Sequence, residues 1–201
     1  MSKGQKISDI LKPLASCSEQ CYVGVGLHTL GLLGWILEQT GRADVFVSTF
    51  STSEPFLNGI INLRKKKLID HAALVVDVKA SRKTTHLYKL MNSAFEIVRL
   101  TLNHSKIILV YTPSVKVTVV TSQNQTYGDR AECTLISTSN ELYLEVLKGY
   151  HKLIDKDKSI LLNIHKQYEQ GTGGDVGFGK NNRADGQESN PDIGDWQPIG
   201  I

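Results

Sequence analysis

Hydrophobic and polar positions along the chain switch repeatedly between a helical and an extended rhythm. Ile7, Ile10, Leu11 and Leu14 recur at helical spacing, but Pro13 keeps that segment short. Tyr22 to Gly26 predicts a short strand, and Leu27 to Glu38 an apolar helix that Gly41 ends. Asp44 to Phe50 is a β-prone run. Ser51, Thr52 and Ser53 then precede Glu54 and Pro55, a helix start with proline in the first turn, and Phe56, Leu57, Ile60, Ile61 and Leu63 carry that helix to about Lys67. Ala72 to Val78 is almost wholly apolar, as expected of a strand covered on both faces. A helix from about Thr84 to Met91 and a strand from Phe95 to Leu100 follow. Asn103 to Glu132 holds two apolar strands about a turn at Thr112 to Val115, and Cys133 to Ser137 is another β-prone run. Asn140 is placed to cap a helix from Glu141 to about Ile154, with Leu142, Val146, Leu147, Tyr150 and Leu153 on one side. A last helical pattern, Lys158 to Glu169, lines up Ile160, Leu161, Ile164 and Tyr168 as a docking face. Strands alternating with helices predict an α/β fold, its mixed β-sheet sandwiched between helices.

The rhythm stops at Gln170. Five glycines between Gly171 and Gly179, then Asn181, Asn182, Asp185, Gly186, Asn190 and Pro191, make a stretch that cannot bury a core of its own. It closes on Asp192 to Ile199, where Trp196 is an apolar anchor. The expected organisation is an N-terminal arm over 1–20, an α/β domain over 21–169, and a Gly/Asn/Asp-rich tail over 170–201. A tether carrying a terminal anchor suits docking on another chain; a disordered tail is the plainer alternative.

Composition narrows the class only slightly. The 201 residues are 40% hydrophobic and 21% charged, ordinary for one globular domain. A net charge of +3 permits an anionic partner without demanding one. No apolar run approaches the ~20 residues of a membrane span. Met1 to Lys12 lacks an apolar signal-peptide core, and the cysteines number three, so a reducing cytoplasmic setting is expected. Cys17, Cys21 and His28 fit no common zinc spacing and read as structural; no metal or cofactor is expected. Gly24 and Gly26 lack the third glycine of a dinucleotide fingerprint. The basic run Arg64 to Lys67 reads as a solvated helix end, with a nucleic-acid patch as the alternative. Lys79, Arg82 and Lys83 follow a buried strand, at the end of an α/β sheet where ligands bind, and are candidate phosphate contacts, with a solvated loop as the plainer reading.

The densest chemistry lies in the Asn103 to Glu132 stretch. His104 and Lys106 are two apart and share a strand face; Ser122 and Asn124 are two apart at the end of the next strand. A hairpin about Thr112 to Val115 would bring both pairs to its open end. There a fixed cation, an imidazole, a hydroxyl and a carboxamide suit a phosphate, with Lys106 as charge, Ser122 and Asn124 as donors, and His104 as nucleophile or acid–base group.

These residues resemble the phospholipase D superfamily signature, His-x-Lys-x4-Asp followed by Gly-Ser-x-Asn and a downstream Glu. The matching positions are His104-Ser105-Lys106, then Thr121-Ser122-Gln123-Asn124, with Glu132 as the acid. Tyr111 stands at the motif Asp, Thr121 at the motif Gly, and the segment between the half-motifs is longer than usual. The resemblance spans about residues 20 to 155. It implies a metal-independent phosphodiesterase in which one histidine attacks phosphorus and a second protonates the leaving oxygen. With one motif per chain, it implies a two-fold homodimer that shares the site. A phosphodiesterase or nuclease acting on nucleic acid is the expected function. A catalytically inactive descendant serving DNA binding or protein assembly, of the kind found in mobile elements or phage, is the alternative.

Overall fold

The strand Ala43–Thr49 is buried at every position, which requires apolar cover on both of its faces. The computed structural model, which describes residues 6–78, 87–126 and 130–156, supplies that cover from helices on either side of a mixed seven-stranded sheet. A single 3₁₀ turn, Ile7–Asp9, leads to β1 (Glu19–Gly24), α1 (Thr29–Thr40), β2 (Ala43–Thr49), α2 (Glu54–Lys65) and β3 (Ile69–Asp77). After them come α3 (Tyr88–Ala94), β4 (Ile97–Thr101), β5 (Ile107–Tyr111), β6 (Lys116–Thr121), β7 (Glu132–Ser137) and α4 (Asn140–Lys156). The strand order is β1-β7-β6-β5-β2-β3-β4. β2, β3 and β4 run parallel, and every pairing from β2 through β5, β6 and β7 to β1 is antiparallel. Two different folding units, a βαβαβ half and a three-stranded meander, therefore meet at the β2–β5 seam.

The alternation of side chains across β2 splits the core in two. Val45 and Val47 face a large cluster with Leu33, Ile36, Leu57, Ile60 and Met91 from α1, α2 and α3. Phe46 faces the other way, into a smaller cluster with Leu109, Tyr111, Tyr143, Leu147 and Tyr150 under α4. The N-terminal segment belongs to the first cluster, since Leu11 and Leu14 are buried in it.

Several boundaries shift from those the sequence predicts. Strand β1 runs Glu19–Gly24, earlier than the expected Tyr22 start, because its pairing with β7 begins at Glu19 opposite Ser137. The helix expected over Thr84 to Met91 is described only from Leu87 onward and continues to Ala94, where Phe95 N still bonds Met91 O. Asn140 lies inside α4 rather than capping it. Ser139 does that work: its Oγ accepts from Leu142 N at 3.2 Å, and its carbonyl accepts from Tyr143 N. Ser53 holds the position before α2, yet its hydroxyl donates to Gln125 O at 3.0 Å instead of capping the helix. The segments 158–169 and 170–201 lie outside the described residues. Among the described residues no helix is long and apolar enough to cross a membrane.

Leu74 on β3 is wholly buried in the larger cluster, whereas Val23 on the edge strand β1 is 71% exposed. Leu74→Ala should lower unfolding free energy by about 2–5 kcal/mol in urea titration, through lost burial plus a residual cavity. Val23→Ala should change it by less than about 0.5 kcal/mol.

Candidate phosphate site

The site forms where β5 begins and β6 ends. Strand β5 enters the sheet through Asn103, a buried residue held by five hydrogen bonds. Its backbone N donates to Asp77 Oδ2 at 2.7 Å, and its Nδ2 donates to Ser48 Oγ at 2.8 Å and Thr49 O at 3.2 Å. Its Oδ1 accepts from Ser105 N at 3.1 Å and from the Ser105 hydroxyl at 2.5 Å. Ser105 then turns towards α4, where its hydroxyl meets Ser48 Oγ at 2.8 Å and the Tyr150 hydroxyl. Asn103 and Ser105 thus take the face under α4, and strand alternation sends His104 and Lys106 to the opposite one.

His104 is exposed at the rim and Lys106 is only 9% exposed behind it. Phe50, one residue past the end of β2, lies against both. Its ring centroid is 4.9 Å from that of His104 at 55°, and the Lys106 ammonium stands 5.9 Å over it. Lys106 Nζ donates to His104 O at 2.7 Å and approaches His104 Nδ1 at 3.4 Å. Burial pushes the lysine's pKa down from its ordinary value, because a desolvated ammonium is penalised; the negative charge of Glu132 pulls it back up.

The second half of the expected set is arranged differently. Thr121, not Ser122, lies beside Lys106: Thr121 N donates to Lys106 O at 3.0 Å. Residues opposite one another on paired strands share a face, so Ser122 leaves that face as β6 ends. Ser122 locks onto β7 instead, with Ser122 N donating to Cys133 O at 2.9 Å and Ser122 Oγ accepting from Cys133 N at 3.0 Å. The same hydroxyl donates to Glu132 Oε2. Asn124 is half-buried, and its Oδ1 is buried with no hydrogen-bond partner among the described residues. His104 and Lys106 form one contact pair, Ser122 and Glu132 another, and Glu132 reaches Lys106 only electrostatically. Lys79, Arg82 and Lys83 fall outside the described residues.

Tyr111, at the motif Asp position, is 6% exposed under α4, with its ring 6.4 Å from Tyr143. It ends β5 at the turn, away from His104 at the strand's start. The substitution therefore places an aromatic in the smaller core cluster and removes no charge from the His104 end.

Sequence reasoning passed over Phe50, Asn103 and the glutamines between the motif residues. Gln123 Oε1 accepts from Thr29 N at 3.2 Å, and the Gln125 Oε1 accepts from the Thr29 hydroxyl. Gln125 N approaches Thr49 Oγ1 at 3.3 Å and Ser51 O at 3.2 Å. These bonds fasten the loop after β6 to the start of α1 and the end of β2. The alternation Ser-Gln-Asn-Gln was the available signal, since a two-residue period sends the glutamines inward if Ser122 and Asn124 face out. Phe50 had no local signal, because only the β2–β5 pairing brings it to His104. The thiols of Cys17 and Cys21 are apart from this site. Cys17 donates to Glu19 O at 3.1 Å, and Cys21 Sγ lies 3.8 Å from Cys133 Sγ. Among the described residues no group of three or more His, Cys, Asp or Glu could hold a metal ion.

The depressed pKa of Lys106 has a defined sign in stability. The unfolded chain keeps that proton to higher pH than the folded one, so stability rises with pH as the folded lysine loses it. Lys106→Met should therefore stabilise the fold near neutrality, and its advantage over the parent should shrink as pH approaches the ordinary lysine range. Urea midpoints measured at several pH values between about 7 and 10 check this.

No protein-family model and no curated protein matches the chain. Among solved structures it is similar to polyphosphate kinase from Porphyromonas gingivalis, at 12% identity and a TM-score of 0.50, over 67% of this chain and 26% of that one. It is also similar to TrmBL2, an archaeal chromatin protein whose structure shows a novel mode of DNA binding, at 10% identity and a TM-score of 0.42, over 74% of this chain and 59% of that one. The chain spans about a quarter of the polyphosphate kinase's length. At 12% identity the likeness to the kinase is one of fold.

Proposed function

We propose that the His104–Lys106 end of the sheet binds a phosphodiester group of a nucleic-acid backbone and does not hydrolyse it. The observation that carries this reading is the environment of His104 Nδ1. Its polar neighbour is the Lys106 ammonium, a donor, at 3.4 Å. Attack on phosphorus by Nε2 needs a lone pair there, hence a proton on Nδ1 and an acceptor facing it. A lysine beside Nδ1 favours the other tautomer, with the proton on Nε2 and aimed at solvent. Among the described residues no carboxylate meets His104, and the Glu132 carboxylate accepts the Ser122 hydroxyl. Such a histidine donates to a phosphoryl oxygen, while Lys106 supplies the charge.

The exposure of His104 and Ser122 supports a polymer whose phosphates project towards the protein, rather than a small molecule needing enclosure. The hydrolytic alternative keeps His104 as nucleophile in one subunit of a homodimer and as acid in the other. Its support is the pair of half-motifs and the fold shared with polyphosphate kinase. It needs a carboxylate to reach His104 from elsewhere.

Fluorescence anisotropy with labelled single- and double-stranded oligonucleotides, in excess chelator, tests the proposal. Binding should weaken with added salt. Lys106→Met should weaken it roughly tenfold and lower the salt slope by about one, with no cleavage by any variant. Equal binding by the parent and Lys106→Met would remove the site from the interaction. Chelator-resistant cleavage that disappears in His104→Ala would restore the phosphodiesterase.

A further inference from the structure

The sheet's two faces are unequally covered, and the bare part carries apolar side chains. Cys21 faces Leu135, Val23 faces Cys133, Leu135 faces Val120 and Val120 faces Ile107 across the paired strands. Directly opposed residues share a face, and Ile107 packs against the cluster under α4. Val23, Leu135, Val120 and the two thiols therefore form a strip on the α4 side of β1, β7 and β6. Val23 is 71%, Leu135 40% and Val120 38% exposed, and both cysteines are exposed.

Geometry explains why α4 leaves this strip open. Seven strands about 4.8 Å apart span roughly 29 Å, and one helix with its side chains covers about 10 Å. The opposite face has α1, α2 and α3. On this face α4 passes from Tyr143, beside Tyr111 on β5, to Tyr150, whose ring centroid is 4.8 Å from that of Phe46 on β2. Its course leads away from β7 and β1. By Tyr150 it has reached the sheet end where Ser105 lies, the same end at which Gly24 pairs with Glu132.

We infer that residues 158–169 of this chain cover the strip. They begin two residues after α4 ends at Lys156. Ile160, Leu161, Ile164 and Tyr168 recur at the spacing of one helical face, and Asp157 and Ser159 before them are of the residue types that favour a helix start. Twelve residues at helical rise would span about 18 Å, the length needed to run back beside α4 over β6, β7 and β1. Their apolar face then meets Val120, Leu135 and Val23, and closes the sandwich that seven strands require.

Cys21 and Cys133 lie inside the strip and report its cover. In a full-length Cys17→Ser background, reaction of the two thiols with 5,5′-dithiobis(2-nitrobenzoic acid) should be at least about tenfold slower than after Ile160→Asp with Ile164→Asp, both proteins melting cooperatively. In the same background, Ile164→Cys with glutathione disulfide as oxidant should give a disulfide to Cys21 or Cys133 within one chain, detected by peptide mass mapping. Equal thiol reactivity with and without the aspartates would overturn the inference. So would protection lost on dilution, or crosslinks formed only between chains, since both assign the strip to a second copy.

Discussion

The antiparallel seam between β2 and β5 is the pairing on which the rest of the molecule depends. β2 belongs to the parallel half with β3 and β4, and β5 opens the meander β5-β6-β7, which β1 extends at its edge. Ser48 opposite Ile107, and Val47 opposite Ile108, set the register. A slip of one residue would turn Val45 and Val47 out of the larger cluster and Phe46 out of the smaller one. Asn103 reinforces that register, because its amide reaches Ser48 and Thr49 while its backbone holds Asp77 at the end of β3. Three strands are tied at one corner, and it is beside this corner that His104 and Lys106 emerge.

Holding a lysine there costs desolvation, and the structure offsets only part of it. Lys106 has a carbonyl acceptor at 2.7 Å and the face of Phe50, but among the described residues no ion-pair partner within contact. One charge-assisted hydrogen bond, a ring face and a more distant carboxylate do not outweigh the desolvation, which is why its pKa falls. An incompletely satisfied cation at a rim is a good receptor for an external anion, since the anion recovers what burial took away. Other cations are spent structurally: Arg42 pairs with Asp70, Arg64 with Glu96 and Lys148 with Glu145.

The loop after β6 is held by amides rather than by a packed apolar core. Gln123 and Gln125 replace water for Thr29, Thr49 and Ser51, and Ser53 gives up its capping hydroxyl to the same loop. The satisfaction is incomplete, because Thr52 Oγ1, Asn124 Oδ1 and Gln125 Nε2 are buried without a partner in the described structure. Each such group costs stability in a closed interior. They gather about the bridge between Thr52 and Gln125, just past the end of β2.

What the sequence by itself determined is what short range controls. Periodicities of two and of about 3.6 set the sandwich, the buried strands β2 and β3, the β5–β6 hairpin and the common face of His104 and Lys106, because neighbours along the chain dictate all of these. The cap at Ser139 rather than Asn140 was a one-residue matter that two adjacent capping residues left ambiguous. Tertiary structure decided whatever depends on how strands separated in sequence are ordered. It turned Ser122 to Glu132 and Cys133 instead of to Lys106, brought Phe50 to His104, and carried Tyr111 into the core under α4. It set a lysine rather than a carboxylate against the histidine nitrogen. The reason is physical: a strand's own pattern says which residues share a face, but only its partners and register say what that face meets.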